Sequence, residues 1–178
     1  MEKNEYLDLF HQMILRLAML RPASWVLART LPRLDPPVMR LSKNRHSLTS
    51  LLSGLPLVTL TTRGAQSGLA RRVPLIPQVD GEKLIFIASN FGQRHNPGWH
   101  YNLLAHPQAQ VTRDGKTRAY IARQAQGEER ERYWGMAVRS YPGYAAYARR
   151  ASHRSVGVWV LEPESFTTEF TESTEIKD

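Results

Sequence analysis

The stretch from Leu57 to Asn90, LVTLTTRGAQSGLARRVPLIPQVDGEKLIFIASN, decides the fold. Its first six residues, Leu57-Val58-Thr59-Leu60-Thr61-Thr62, are apolar or β-branched and predict a strand. Arg63-Gly64-Ala65-Gln66-Ser67-Gly68 then turns the chain, with two glycines free to adopt geometry that other residues resist. Arg71-Arg72-Val73-Pro74-Leu75-Ile76-Pro77 resumes extended character, and Asp80-Gly81 reverses it into Lys83–Ala88 with a hairpin signal. Three strands and a polar turn within some thirty residues predict a meandering antiparallel sheet.

Outward from this block the pattern continues. Asn96-Pro97-Gly98-Trp99 places an N-cap residue before a proline at the first helical position, so a helix carrying Trp99 and Asn102 is predicted, ending before Pro107. Gln108–Arg113 and Lys116–Arg123 flank Asp114-Gly115 as a second hairpin. Glu128 and Glu129 mark the start of a helix running to Ser140, and Pro142 opens a second helical piece with Tyr144 and Tyr147. Ser155–Leu161 reads as a final core strand. Antiparallel hairpins closed by helices predict a small β-barrel with flanking helices, a mainly β, α+β class.

The order T-T-x-G-x-x-S/T-G-x-x-R, then A-S-x-x-G, then N-P-x-W-x-x-N-L resembles the deazaflavin-dependent nitroreductase family. These are split β-barrel proteins, similar to flavin reductases and pyridoxamine-phosphate oxidases, that use coenzyme F-420. Here the pattern is carried by Thr61, Thr62, Gly64, Ser67, Gly68 and Arg71, by Ala88, Ser89 and Gly92, and by Asn96, Pro97, Trp99, Asn102 and Leu103. It extends through Tyr141-Pro142-Gly143-Tyr144, Tyr147 and Leu161-Glu162-Pro163. The expected organisation is a helical arm over residues 1–50, a split barrel over 51–163 and an acidic tail over 164–178.

The resemblance implies an oxidoreductase moving hydride from a reduced deazaflavin to a quinone-like or nitroaromatic acceptor, and a homodimer. It implies cofactor contacts from Gln66, Ser67, Gly68, Arg71, Pro74, Ser89, Asn90, Trp99 and Asn102. Ser89 would sit near the reactive edge, with Tyr141, Tyr144 and Tyr147 as catalytic residues on the acceptor side; their spacing places them along one helical face. The chain departs from the pattern at Ala65, Gln66 and Asn90, positions that are usually basic, with Arg63, Arg72 and Arg94 as possible substitutes. FMN or haem in place of the deazaflavin, or a lipid or fatty acid in a non-catalytic barrel, therefore stand as alternatives.

A net charge of +8 predicts attraction to anions. No aromatic-basic motif or helix-turn-helix points to nucleic acid, and the six dispersed histidines lack metal-ligand spacing. The absence of cysteine excludes disulfide and thiolate chemistry and fits a reducing, cytoplasmic compartment. Glu5–Leu20 repeats apolar residues at helical spacing, too short and charged to span a bilayer; it would cover a barrel face or lie on the inner membrane face with Arg16, Arg21 and Arg29 toward lipid phosphates. Pro22, Pro32, Pro36 and Pro37 predict short helical turns joined by bends over Pro22–Arg45, where Arg33, Arg40, Lys43 and Arg45 form a second basic surface.

Overall fold

A computed structural model describes residues 13, 14, 16–18, 20–41 and 57–164. Most of the expected first helix, Lys43, Arg45 and all but the first residue of the acidic tail lie outside the described residues.

Seven strands form one antiparallel sheet: β1 (Val58–Arg63), β2 (Ala70–Leu75), β3 (Gln78–Asp80), β4 (Lys83–Ile87), β5 (Gln108–Arg113), β6 (Lys116–Gln124) and β7 (Val158–Pro163), in the order β2-β1-β5-β6-β7-β4-β3. The topology dictates curvature. β2 and β3 are consecutive yet occupy opposite edges, and the chain crosses between them from Leu75 to Gln78, a reach of about 10 Å. At about 4.8 Å per strand, a flat sheet of this size would hold its edges roughly 29 Å apart. The sheet must therefore curl until its edges nearly meet, which is the split barrel the sequence predicts. Pro74, which cannot donate to a ladder, sits on an edge strand opposite Thr59, where it is tolerated.

Both aspartate–glycine hairpins form. At the second, Asp114 (φ 50°) and Gly115 (φ 77°) adopt the left-handed pair that matches strand twist. The last strand starts three residues later than expected, at Val158, and runs to Pro163.

Alternation along β4 and β7 divides the core. Leu84, Phe86, Trp159 and Leu161 fill the barrel with Leu60, Val111 and Trp99. Ile85, Ile87, Val158 and Val160 point outward, under Tyr133, Ala137, Tyr144 and Tyr147. Being buried on both faces explains why these strands read as unbroken apolar runs. Their cover comes from α3 (Gly127–Ser140) and α4 (Gly143–Arg150), while α2 (Gly98–Ala105) follows β4.

The proline-containing arm departs from its expected form. Arg21–Leu41 is a single 21-residue helix, α1, rather than short turns between bends, although four prolines fall within it. Ser24, Leu31 and Asp35 are buried along one stripe, with Leu27 between them. Burial of that stripe along a cleft, with the Arg150 guanidinium donating to Ser24 Oγ at 2.6 Å, outweighs the loss of a few helical hydrogen bonds. Among the described residues, no helix is long and apolar enough to cross a membrane.

His100 on α2 is buried, and its Nδ1 accepts a hydrogen bond from Trp159 Nε1 at 3.0 Å. Burial, aided by the Arg154 cation, holds its pKa below the ordinary histidine range. The unfolded chain thus takes up a proton near pH 6.5 that the folded chain refuses, so stability falls as pH drops below 6.5 until the folded histidine also titrates. The contribution is at most about 1.4 kcal/mol per pH unit. Thermal melts between pH 7 and 5 are expected to show a shallower decline for His100→Gln than for wild type; parallel curves would contradict this.

Candidate active site

Three pieces of chain that are distant in sequence converge on one cleft of about 660 Å³. The first is the turn after β1. Gly64 and Leu69 close it, the Gly64 amide donating to the Leu69 carbonyl at 2.8 Å, and Gly68 (φ 67°) donates back to the Gly64 carbonyl at 2.8 Å. A side chain at Gly64 would meet Ser67 Oγ at 2.5 Å and the Leu69 carbonyl at 3.2 Å, so the serine hydroxyl would have to turn aside to admit one. Arg71 Nη2 reaches the same Ser67 hydroxyl at 3.4 Å.

Asn102 joins this turn to α2. Its Oδ1 accepts from the Ala65 amide at 3.0 Å and its Nδ2 donates to Thr62 Oγ1 at 2.9 Å. The side chain thus holds the turn in place, a role that spacing along the sequence did not disclose. Asn102→Ala should cost about 1–2 kcal/mol, since two hydrogen bonds are lost and the buried Thr62 hydroxyl loses a partner. Differential scanning calorimetry would read this out, and an unchanged midpoint would refute it.

The second piece follows β4. Ser89, Asn90 (φ 46°), Phe91 (φ 54°) and Gly92 (φ 75°) form a tight 3-10 turn with three successive left-handed residues. For Asn90 and Phe91 that conformation is costly, on the order of 1–3 kcal/mol each, and persists only where the surroundings impose it. The surroundings include Arg154, which sequence reading passed over. Its Nη2 donates to the Ser89 carbonyl at 2.8 Å, Nη1 to the Ala88 carbonyl at 3.3 Å and to Asn96 Oδ1, and Nε to the Gln93 carbonyl at 3.1 Å. Asn96 is therefore not the helix cap that its position before Pro97 predicts: α2 starts at Gly98 with Pro97 at the cap, and no side chain caps it. The arginine's claim on Asn96 Oδ1 explains the difference.

The third piece is aromatic. Trp99 stands edge-on to Phe86, with centroids 6.3 Å apart, and both line the cleft. Tyr141 caps the end of α3, whereas Tyr144 and Tyr147 lie on α4, so the three do not share one helical face. They nevertheless cluster, Tyr141 lying 5.4 Å from Tyr144 and 6.0 Å from Tyr147 between ring centroids. Tyr147 Oη donates to the Ala18 carbonyl at 3.1 Å and lies 2.9 Å from Tyr141 Oη. A phenol has one proton, so with that proton on Ala18 the Tyr147 oxygen accepts from Tyr141. Among the described residues, the Tyr144 hydroxyl has no hydrogen-bond partner. Burial raises all three tyrosine pKa values, which keeps the phenols protonated at neutral pH.

Of the site residues expected from sequence, Arg71, Pro74, Ser89, Asn90, Trp99, Asn102, Tyr141, Tyr144 and Tyr147 line the cleft. Gln66, Ser67 and Gly68 sit on the exposed turn beside it rather than in its wall. Of the possible basic substitutes, Arg72 lines the cleft while Arg63 and Arg94 do not. Helix α1 adds Leu27, Leu31 and the buried Asp35. The i, i+4, i+8 spacing of those three was readable as a helical stripe, had the prolines not argued against a helix. Among the described residues no histidine lines the cleft, so the haem alternative finds no histidine ligand there. Two arginines at one end and a wall of aromatic and aliphatic side chains suit a planar ring with an anionic tail.

Comparison with known proteins agrees with this geometry. The profile of the F420H(2)-dependent quinone reductase family matches residues 37–163. A curated relative from Mycobacterium tuberculosis, an F420H(2)-dependent quinone reductase, is 29% identical over 109 residues, which are 60% of this chain and 72% of the relative. A solved structure described as an F420-H2 dependent reductase is 38% identical, covering 60% of this chain and 94% of its own, with a TM-score of 0.55. Another, described as a domain-swapped dimer, is 34% identical over 79% of this chain and 99% of its own, with a TM-score of 0.57. With the family profile spanning most of the chain, from the end of α1 to the end of β7, this protein belongs to the F420H(2)-dependent quinone reductase family.

Proposed function

We propose that this protein transfers hydride from reduced coenzyme F-420 to a quinone-like or nitroaromatic acceptor within the cleft. The observation that carries the reading is the convergence of the Gly64 turn, the Ser89 corner and the Trp99 helix on one cavity, in the company of three tyrosines. The bound deazaflavin would supply the hydride; the protein's task is to bind, orient and protonate. Arg71 and Arg72 would take the phosphorylated, carboxylate-rich tail through bidentate hydrogen bonds, with the Gln66-Ser67-Gly68 turn alongside. Pro74, Ser89, Asn90 and Trp99 would frame the ring, and Asn102 would keep the turn in register with α2. The tyrosines would stack on the acceptor, and Tyr144 would offer an O–H to the oxygen that becomes anionic on reduction. Titration of the purified protein with the deazaflavin and, separately, with FMN tests this: micromolar binding of the deazaflavin is expected, and binding of neither would refute it.

Similarity to the domain-swapped dimer supports a homodimer, which sedimentation velocity reads directly. Trp25 and Val26 are exposed on the side of α1 opposite its buried stripe, with the Arg29 guanidinium 4.0 Å above the Trp25 ring. An aromatic ring, an aliphatic neighbour and a cation on one helix face suit the headgroup region of an anionic membrane. Co-sedimentation with anionic vesicles is expected and should drop at least severalfold for Trp25→Glu; equal sedimentation would argue against a membrane role for this face.

A further inference from the structure

We propose that Arg154 is a positioning residue for the cofactor site: it shapes the Ser89–Asn90 corner without itself lining the cleft. This rests on the functional reading above. The segment from Ser89 to Pro97 leaves the sheet after β4, so its carbonyls lose the ladder partners that strand residues enjoy. The corner must also hold Asn90 and Phe91 in the left-handed region. Some fixed donor has to gather those carbonyls, and the guanidinium does so through all three of its nitrogens.

The reach of this one group is what gives it a functional role. Ser89, Asn90 and Phe91 line the cleft on one side of the loop, and Asn96 and Pro97 line it on the other. Arg154 is bonded to both sides, through the Ser89 and Ala88 carbonyls and through Asn96 Oδ1. The distance between the Ser89 corner and the mouth of the Trp99 helix is thus set from behind by a planar fork. Asn90 Nδ2 donating to the His95 carbonyl at 2.8 Å, and His153 Nε2 paired with the Arg94 carbonyl at 2.9 Å, tie the same loop at two more points. All four Arg154 acceptors are neutral, and among the described residues no carboxylate pairs with it. Its charge therefore stays uncompensated behind the corner, where it favours anionic groups in the cleft.

A lysine keeps the charge but presents a single compact ammonium, which cannot span acceptors on both sides of the loop. Arg154→Lys therefore separates geometry from charge. Amide hydrogen exchange of the full-length, cofactor-free protein, read by mass spectrometry, is expected to quicken at least tenfold across residues 88–97 in Arg154→Lys. Residues 108–124, in the β5–β6 hairpin, should be unaffected. The dissociation constant for the deazaflavin, measured by titration, should rise at least tenfold. Asn96→Ala, which removes one of the four contacts, should fall between wild type and Arg154→Lys in both measurements. Exchange and affinity within twofold of wild type would overturn the assignment, as would exchange that quickens equally over the β5–β6 hairpin, the mark of a merely structural role. Failure of the wild-type protein itself to bind the deazaflavin would remove the functional reading beneath the proposal, and is seen before any variant is made.

Discussion

Gly92→Ala is expected to lose about 3 kcal/mol of stability, which for a chain of this size lowers the thermal midpoint by roughly 6–12 °C. Two costs combine. The first is backbone strain, because Gly92 sits at φ 75°, where a Cβ is disfavoured. The second is steric: that Cβ would meet the Tyr147 carbonyl oxygen at 2.9 Å, Arg150 Cβ at 3.0 Å and Tyr147 Cα at 3.2 Å. Two of these are main-chain atoms, so relief requires α4 to move as a body rather than a side chain to swing aside. Such a shift carries Tyr144 and Tyr147 away from Ser89, and deazaflavin-dependent turnover should fall with stability. Gly135→Ala is the internal control. Gly135 lies within α3 and its Cβ would approach only Arg139 Nη1, the end of a flexible side chain, at 3.3 Å. That substitution should stabilise by about 0.5–1 kcal/mol through helix propensity. Thermal melts of the pair are expected to move in opposite directions; a Gly92→Ala protein melting with wild type would show that α4 does not need its present seat.

The glycine's importance was legible only as a motif letter. What sequence supplied well were features whose physics is local: Asp80-Gly81 and Asp114-Gly115 set hairpins through backbone conformation, and the apolar runs of β4 and β7 marked strands. What it missed were features set by partners far along the chain. Asn102 bonds Thr62 forty residues away, and Arg154 reaches Ser89 across sixty-five. Nothing in the local composition around either residue encodes those contacts. Helix α1 failed for a different reason: its prolines are poor helix residues locally, and only the tertiary burial of Ser24, Leu31 and Asp35 makes the helix worth forming. The same tertiary logic displaced the predicted cap at Asn96, whose oxygen is taken by Arg154.

Tyr144→Phe is expected to lower kcat by about 10²-fold, within the range contributed by a positioned general acid, while leaving deazaflavin affinity within twofold of wild type. The three phenols differ in whether they have a proton to spare. Tyr147 gives its proton to the Ala18 carbonyl, and Tyr141 is engaged with the Tyr147 oxygen, so both hydroxyls serve to tie α4 to the residues before α1. Tyr144 faces the same cleft with no such engagement among the described residues, and burial holds its pKa well above neutrality. Such a phenol can give an O–H to an acceptor oxygen as charge develops there and be reprotonated from solvent afterwards. Phenylalanine keeps the ring and its edge-on contact with Tyr141, so the thermal midpoint should stay within a degree or two. Tyr147→Phe should behave in the converse way, losing about 1 kcal/mol with the Ala18 hydrogen bond but retaining most of kcat. Steady-state kinetics on both variants, with deazaflavin saturating, discriminates the roles. Full activity in Tyr144→Phe together with a collapse in Tyr147→Phe would move the acid to Tyr147 and require its hydrogen bond to Ala18 to break when an acceptor binds.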